Sequence, residues 1–226
     1  KAATGGTNPS CFQSTSGTSC STSNANNSGP VEQVDWWSSA AYANWLSEQA
    51  GLTRCYTFTP SNWDRTVSNW SDGYGGDSAS AITWSGPSCA GYRLLTESEW
   101  EWAARGPVGS GTLTTAYYWG SSVDSAYLWY SSNSGSRTQP VGGKVANAYG
   151  LRDMSGNVWE WVWDWYDTYP SGSRSDYTGA STGSSRVYRG GSWFNDASNA
   201  RSADRGNVSP GDRFYNLGLR LARTVL

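Results

Sequence analysis

The clearest pattern in the sequence is an apolar residue at every fourth position early in the chain. Trp37, Ala41 and Trp45 recur at this spacing, which places them on one face of a helix. Asp35 precedes the pattern and can cap the helix, and Gly51 follows it and can end the helix. The pattern therefore predicts an α-helix whose aromatic stripe packs in the core.

A second helix is predicted from its start and stop signals. Thr96 and Glu99 have the spacing of a capping box, and Gly106 is followed by a proline that ends the helix. Glu97 and Glu101 add further carboxylates near the helix start. We interpret these carboxylates as charges that stabilise the start of the helix through its dipole, not as catalytic groups.

The remaining pattern predicts short strands joined by long loops. Tryptophan occupies positions 159, 161, 163 and 165, which predicts a strand with one continuous indole face, and we expect that face to be buried. Other short strands are predicted at 31–34, 55–58 and 127–130, and residues 1–30 are expected to form a loosely ordered arm. The order of the elements predicts one α+β domain covering residues 1–226.

The composition excludes several classes of function. The chain has 15 Trp, 14 Tyr and 27 Gly among its 226 residues, a bias typical of a loop-rich fold. It has no histidine, which removes imidazole bases and histidine metal ligands, and its net charge of −2 argues against nucleic-acid binding. No stretch approaches the roughly 18 apolar residues of a membrane span.

Four cysteines, at positions 11, 20, 55 and 89, bear on the cellular compartment. None of them forms a Cys-X-X-Cys pair, so a zinc site or a thioredoxin-like site is not indicated. Three pairings are possible, and we predict the most local one, Cys11–Cys20 with Cys55–Cys89; four free thiols in a cytosolic protein are the alternative. Paired cysteines and Ser/Thr-rich loops indicate a protein that is extracellular or on a bacterial cell surface.

Several motifs, in order along the chain, resemble one family. They are Asn-Pro-Ser at 8–10, Pro-Val-Glu at 30–32, the run Gly-Tyr-Arg-Leu-Leu-Thr-Glu-Ser-Glu-Trp-Glu at 91–101, the stretch 150–161, Arg-Gly-Gly-Ser at 189–192 and Leu-Gly-Leu-Arg at 217–220. Together they resemble the formylglycine-generating enzyme, or sulfatase-modifying factor, family across nearly the whole chain. The resemblance implies a C-type-lectin-like α+β fold of the large type, with a twisted antiparallel sheet, two helices and extensive loops.

The resemblance implies an activity that two residues of this chain contradict. Enzymes of the family oxidise a substrate cysteine to formylglycine, and they bind copper through two cysteines soon after the Gly-Gly-Ser stretch. The matching positions here hold Asn195 and Ala200, and neither side chain replaces a thiolate ligand. We therefore expect a non-catalytic protein without copper or another catalytic cofactor; an oxidase relative with altered chemistry is the alternative.

The resemblance also implies a structural calcium site. The matching residues are Asp153, Gly156, Val158 and Glu160, which supply two carboxylates and backbone carbonyls, and oxygen ligands of this kind suit Ca²⁺. The alternative is a turn leading into a strand, with Glu160 bonded to the backbone. A calcium-dependent sugar lectin is a further alternative, but its Glu-Pro-Asn and Gln-Pro-Asp motifs are absent, and residues 139–141 are Gln-Pro-Val.

The C-terminal segment, residues 186–226, resembles a second group with this fold, the variable proteins of diversity-generating retroelements, and its treponemal members in particular. In that group, adenine-directed mutagenesis rewrites a C-terminal segment, mostly at Asn codons, and it does not produce Lys, Glu, Gln, Met or Trp. Fourteen residues of allowed types form the candidate binding surface, which we call the patch residues: Phe194, Asn195, Asp196, Ser198, Asn199, Asp204, Gly206, Asn207, Val208, Ser209, Gly211, Asp212, Phe214 and Tyr215.

Between the patch residues lies a frame that we expect to fix the shape of the loops. Six arginines can hold the loops through several donors each, and five apolar residues are predicted to pack inward. They are Arg186, Arg189, Arg201, Arg205, Arg213 and Arg220, and Trp193, Ala200, Ala203, Leu217 and Leu221. The expected protein is a monomer that binds an unknown macromolecule, most readily a protein, with any lipid anchor carried by a segment outside this sequence.

Overall fold

A computed structural model describes residues 28–61, 81–107 and 114–225 of the chain. The predicted Cys11–Cys20 disulfide and the predicted arm, apart from residues 28–30, lie outside these ranges. Within the described ranges, no helix is both long enough and apolar enough to cross a bilayer.

Both predicted helices are present, and both begin at the predicted caps. Helix α1 spans Trp36–Gln49, and the Asp35 carboxylate accepts a hydrogen bond from the Ser38 backbone N–H at 2.5 Å. Gly51, just beyond its end, has the positive φ of 67° that glycine adopts readily. Helix α2 spans Glu97–Arg105, and both hydrogen bonds of the Thr96 capping box are formed.

The main sheet has four strands and is mixed, not purely antiparallel. Its strands are β4 (Trp159–Trp165), β5 (Arg186–Arg189), β6 (Arg205–Val208) and β7 (Leu217–Leu219), in the spatial order β6-β5-β4-β7. The antiparallel expectation is wrong for one pair, because β7 runs parallel to β4. The chain leaves β6 at one edge and returns at the opposite edge, so a loop at residues 209–216 crosses the end of the sheet.

Two smaller antiparallel pairs complete the described strands. Strand β1 (Tyr56–Thr59) pairs with β2 (Ala81–Trp84), and β3 (Tyr92–Leu94) pairs with β8 (Leu221–Arg223). The second pair joins the chain just before α2 to the C-terminal end of the segment that carries the patch residues.

Two of the predicted short strands are wrong. Residues 31–34 form a single bridge, between Glu32 and Gly218, because Gln33 adopts a positive φ of 60° that interrupts an extended ladder. Residues 127–130 likewise form one bridge, at Trp129, since the carbonyl of Tyr130 accepts turn hydrogen bonds from the next residues instead of pairing with a strand.

Strand β4 is buried on both faces, and each face packs against one helix. On the indole face, Trp161 is fully buried in a cluster with Trp36 of α1, and the Trp36 indole N–H donates to the Val162 carbonyl at 2.8 Å. On the other face, the Val162 side chain packs with Trp100 of α2. The predicted buried indole face is confirmed at Trp159 and Trp161, whereas the last two tryptophans are half-buried.

The predicted disulfide between Cys55 and Cys89 is confirmed. Both cysteines are buried beside α1 and β1, and the bond fixes the start of β1 to the turn that precedes β3. A buried structural disulfide is compatible with an oxidising extracellular compartment.

Candidate ligand-binding site

The loop after β5 is held in shape by a close backbone contact. Gly191 has a φ of 75°, and a Cβ built on it would lie 2.8 Å from the Cα of Ala200. Ala200 ends a short 3-10 helix, Ala197–Ala200, and its carbonyl accepts a hydrogen bond from the Ser155 hydroxyl at 2.9 Å. Only glycine at 191 allows this approach, so the loop conformation depends on the backbone and not on its exposed side chains.

Arg189 is the central arginine of the frame. Its side chain is fully buried, pairs with the Glu101 carboxylate, and donates to the backbone carbonyls of Ser202 and Asp204. The same guanidinium lies 3.6 Å from the carboxylate of Glu97. Through these contacts one side chain fixes the 200–204 loop to helix α2.

The carboxylates at the start of α2 therefore do more than stabilise the helix dipole. Glu97 is buried, pairs with Arg205 of β6 at 2.6 Å, and accepts a hydrogen bond from the Tyr169 hydroxyl at 2.8 Å. The interpretation of Glu97 and Glu101 as helix-start charges alone is incomplete, because both bind arginines of the C-terminal segment. These pairs could not be predicted from local sequence patterns, because the partners lie about a hundred residues apart.

The 209–216 loop is anchored to the N-terminus of α1. Arg213 forms an ion pair with Asp35, which is also the helix cap. The carbonyl of Pro210 accepts from the Trp36 N–H, and the carbonyl of Phe214 accepts from the Gln33 N–H, each at 3.0 Å. The backbone of this loop is thus fixed at both ends, and its patch residues remain exposed while Arg213 points inward to Asp35.

None of the fourteen patch residues is buried. Nine are exposed: Phe194, Asp196, Ser198, Asn207, Ser209, Gly211, Asp212, Phe214 and Tyr215. Five are half-buried: Asn195, Asn199, Asp204, Gly206 and Val208. One frame expectation is wrong, because Ala203 is exposed on a turn. Leu221 is half-buried in the β3–β8 pair and packs against the core cluster that contains Trp161, as predicted.

Seven patch residues surround one open cavity of about 450 Å³. They are Phe194, Asn195, Asn199, Asp204, Gly206, Phe214 and Tyr215. The other lining residues are Trp159, Tyr188, Arg205, Asn216 and Leu217. The sequence predicts Arg205 and Leu217 as frame and Trp159 as core, and it does not single out Tyr188 or Asn216. The alternation of tryptophans in β4 predicts a buried indole face that includes Trp159. Alternation alone does not show which end of the strand lies at an open cavity.

Aromatic rings form the sides of this cavity. Trp159 and Tyr188 meet edge to face with ring centroids 4.9 Å apart. Phe194 packs edge to face on Trp193 at 5.5 Å and on Tyr215 at 6.1 Å. Phe194 is 56% exposed although its ring is fixed on one side, which is the usual arrangement of an aromatic anchor in a binding surface.

Asn195 gives the cavity an oriented amide. Its Oδ1 accepts hydrogen bonds from the Trp159 indole N–H at 2.8 Å and from the Ser192 hydroxyl at 2.5 Å. Both bonds use the oxygen, so the amide N–H groups of this lining residue remain available as donors. A ligand with an acceptor oxygen suits this position.

Gly206 controls the space next to Tyr188. The two residues are cross-strand partners in β5 and β6, and a Cβ on Gly206 would lie 2.1 Å from the Tyr188 ring. The tyrosine ring therefore lies directly over the glycine. Any side chain at 206 requires the ring to move, which changes the shape of the cavity.

The predicted calcium ligands lie together around a separate cavity of about 390 Å³. Asp153 is buried with a φ of 58°; its Oδ2 accepts from the Gly142 N–H at 2.6 Å, and its Oδ1 has no hydrogen-bond partner. Burial raises the pKa of Asp153. An unpartnered buried carboxylate oxygen is a type of ligand that suits a hard cation.

The second carboxylate of that set is already neutralised. Glu160 forms an ion pair with Arg220 at 2.8 Å and accepts from the Trp100 indole N–H at 2.7 Å. In the part of the chain that the structure describes, no group of three or more Cys, Asp or Glu side chains could hold a metal ion. Asp153 is consequently the one carboxylate here that could bind calcium directly, with backbone carbonyls and water as the other ligands.

The cysteines of the described residues offer no free thiol. Cys55 and Cys89 are joined in the disulfide. Asn195 is bound through its amide oxygen, and Ala200 is buried against Gly191. The positions that the family resemblance matches to copper-binding cysteines are therefore filled here by an amide and a packed methyl group.

The chain is similar in sequence to several known proteins. The chain is 30% identical over 215 residues to the chaperone protein LppX of Paenibacillus barcinonensis, covering 86% of this chain and 70% of that protein. It is 31% identical over 212 residues to the formylglycine-generating enzyme of Streptomyces coelicolor, covering 86% of this chain. The chain spans only 62% of that enzyme's length.

The chain is also similar to a solved structure. Treponema denticola variable protein 1 superposes with a TM-score of 0.76 at 36% identity, covering 96% of this chain and 78% of that one. The predicted fold and the resemblance to treponemal variable proteins are confirmed. The sulfatase-modifying factor enzyme 1-like domain matches residues 3–225, and the chain is a member of that family, with its C-type-lectin-like α+β fold.

Proposed function

We propose that this protein is a non-catalytic binding protein whose contact surface is formed by the patch residues. The observation that carries the proposal is the separation of roles in the C-terminal segment. Buried arginines and glycines fix the backbone, and the side chains between them are exposed around an aromatic cavity. The likeness to a treponemal variable protein supports a binding role.

The chemistry of the surface favours a protein ligand. Phe194, Phe214 and Tyr215 are large exposed rings, and they alternate with amide, carboxylate and hydroxyl side chains. Rigid aromatic anchors combined with adaptable polar groups are typical of antibody-like contact surfaces. An open cavity of about 450 Å³ accepts one or two side chains of a partner protein.

Gly206 is the specificity-determining position within this surface. Since its Cβ would overlap the Tyr188 ring, replacing it displaces that ring from the cavity. Substitution at an exposed position such as Ser209 changes only the local surface chemistry. Variation at 206 therefore changes the shape of the cavity, and variation elsewhere changes its rim.

A defined selection experiment tests the binding proposal. In the first library, seven exposed patch positions are randomised: 194, 196, 198, 207, 209, 214 and 215. The variants are displayed and selected for binding to hen egg-white lysozyme as a probe protein. A control library randomises seven other exposed positions: 121, 122, 123, 125, 145, 148 and 149. We expect folded binders from the first library at least tenfold more often; equal recovery from both would contradict a privileged surface.

Diversification of the segment is a separate part of the proposal and is tested in DNA. We expect a near-copy of the codons for residues 186–223 beside a reverse transcriptase gene, differing from the expressed copy only at template adenines. Sequencing the locus from a population of source cells would then show substitutions confined to patch codons. Absence of such a copy would contradict the proposal that the segment is diversified. The proposal that the protein binds a ligand is tested separately by the selection experiment.

An oxidase of altered chemistry is the second candidate, because family membership and the Streptomyces coelicolor relative favour it. It predicts copper-dependent oxygen consumption with a cysteine-containing peptide. We expect none, since an amide and a methyl group stand at 195 and 200. A sugar lectin is disfavoured further because the Gln139 amide already donates to the Ser134 carbonyl at 2.6 Å.

We also propose an extracellular or cell-surface location. The buried Cys55–Cys89 bond supports it, because structural disulfides persist in oxidising compartments. Mass determination of the native protein with and without reductant tests this point. Alkylation of both cysteines without prior reduction is the result that would count against it.

A further inference from the structure

A third cavity, of about 630 Å³, lies apart from the patch residues, between β2, β4 and the loop at residues 178–183. Indole rings of Trp84, Trp163 and Trp165 line it on one side. Hydroxyl-bearing residues of the loop, Ser181 and Thr182 among them, line it on the other side. No Asp or Glu of the described residues lines this cavity.

Arg186 lines the same cavity and is a buried cation without an ion pair. It is 2% exposed, and its guanidinium lies between the rings of Trp36 and Trp165, 3.7 and 3.4 Å from their centroids. Its hydrogen bond is donated to the Trp163 carbonyl, and its Nε has no partner. No carboxylate of the described residues lies within ion-pair distance, in contrast to Arg189 and Arg205.

Burial of this cation is compensated only in part. Stacking between indoles covers the two faces of the guanidinium, but its edge carries the N–H donors. Burial lowers the pKa of Arg186 to about 9, and the nearby Asp164 carboxylate raises it without forming a bond to it. A buried charge of this kind is stabilised when an anion is placed beside it.

A second donor beside this cavity also lacks an acceptor. The indole N–H of Trp84 is buried and has no hydrogen-bond partner. The cavity is thus bordered by one cation, one unused indole N–H and several hydroxyls, and it lacks a carboxylate. Its walls are flat aromatic rings, which favour a flat apolar group over a flexible chain.

We propose that this cavity binds a small organic carboxylate with a flat, unsaturated body. The carboxylate lies toward Arg186 and the Trp84 N–H, and the body lies among the indoles. The volume is within the range of small-molecule sites. The site is independent of the proposed protein-binding surface, because none of the patch residues lines it.

Thermal unfolding with a matched pair of probes tests the proposal. Benzoate and benzamide have nearly the same shape and differ in charge. At a benzoate concentration about tenfold above Kd, we expect the midpoint to rise by about 3 to 6 °C, with benzamide giving less than a third of that rise. Sodium chloride at the same ionic strength is the control for a general salt effect.

A blocking variant avoids removing Arg186, whose loss threatens the fold. Ser181 is an exposed lining residue, so Ser181→Trp is expected to fill the mouth of the cavity and abolish the benzoate effect. Ser121→Trp, at an exposed serine away from this cavity, is the matched control and keeps it. Equal shifts with both probes, no shift with either, or a benzoate shift that survives Ser181→Trp would each overturn the proposal.

Discussion

The frame and the patch residues alternate in the same C-terminal segment but differ in burial and in their contacts with the rest of the fold. Arg189 is fully buried and joins two loops to α2, whereas Phe194, five residues later, is 56% exposed. Gly191 allows one loop to touch another, and the side chain of Phe214 faces out from a backbone held by the Gln33 N–H. The loop shape here depends mainly on buried residues beneath the patch, although Arg205 and Leu217 of the frame also line the cavity. The exposed side chains can therefore change without changing the buried contacts.

The largest effect on stability is expected at the buried arginine of the frame. Arg189→Met leaves Glu97, Glu101 and two carbonyls without their buried donor, and we expect a loss of about 3–5 kcal/mol in unfolding free energy. Arg201→Met is the matched control within the same frame, because Arg201 is 52% exposed, and we expect a loss below about 1 kcal/mol. Urea denaturation measures both variants; equal losses would show that burial does not decide which arginines hold the loops.

Glycines provide the second contrast. Gly191→Ala forces a side chain into left-handed backbone and against Ala200, so we expect a loss of about 2–4 kcal/mol. Gly211→Ala, at an exposed glycine without a positive φ, is expected to change stability by less than about 0.5 kcal/mol. A stable, unshifted Gly191→Ala variant would show that the loop contact is not needed.

Acidity should affect the buried network more than the patch residues. Burial raises the pKa of Asp164 from 3.8 to about 7, so the folded protein binds a proton between pH 7 and pH 4 that the unfolded chain does not bind. Stability from this group therefore rises as the pH falls through that window. Asp164→Asn removes the dependence, and its stability relative to the wild type should be about 1–3 kcal/mol more favourable at pH 8 than at pH 5. The same relative stability at both pH values would exclude this group as the cause.

Single truncations on the patch should be nearly silent in stability. Phe214 is 42% exposed, and we expect Phe214→Ala to change the unfolding free energy by about 0.5 kcal/mol or less. Leu217→Ala, three residues later and buried at 1% exposure, should cost about 2–5 kcal/mol. Chemical denaturation of the pair decides the point, and a large loss for Phe214→Ala would move it from the patch to the frame.

Calcium has the smallest expected effect, because Arg220 already neutralises Glu160. Addition of millimolar CaCl₂ should raise the unfolding midpoint by about 2 °C or less, which is the shift expected for weak binding through Asp153. Asp153→Asn should abolish that rise without removing the Gly142 hydrogen bond. A rise that persists in the variant would place the ion elsewhere.

Local signals in the sequence were sufficient for the helices and for much of the frame. The caps at Asp35 and Thr96 mark helix starts because their hydrogen bonds form within four residues. The alternation of indoles predicts that β4 lies in the core, and the frame pattern predicts that Trp193 packs inward. Each of these features depends on residues close together in sequence.

Long-range features could not be predicted in the same way. The parallel pairing of β7 with β4 depends on where the 209–216 loop crosses, and no local pattern encodes that crossing. The pairing of Glu97 with Arg205 joins residues 108 positions apart. Tyr188 of strand β5 and Asn216 of the 209–216 loop both border the cavity, and only the folded chain brings them together.

A scan of all single substitutions across residues 186–225, read out as protease resistance of the displayed protein, tests the central claim most directly. The account predicts that the protein stays folded with most substitutions at patch positions, and that substitutions at Gly206 move the Tyr188 ring. It predicts that almost no substitution at Arg189, Gly191 or Leu217 leaves the protein folded. Tolerance that is uniform along the segment, or lower at the patch than in the frame, would contradict it.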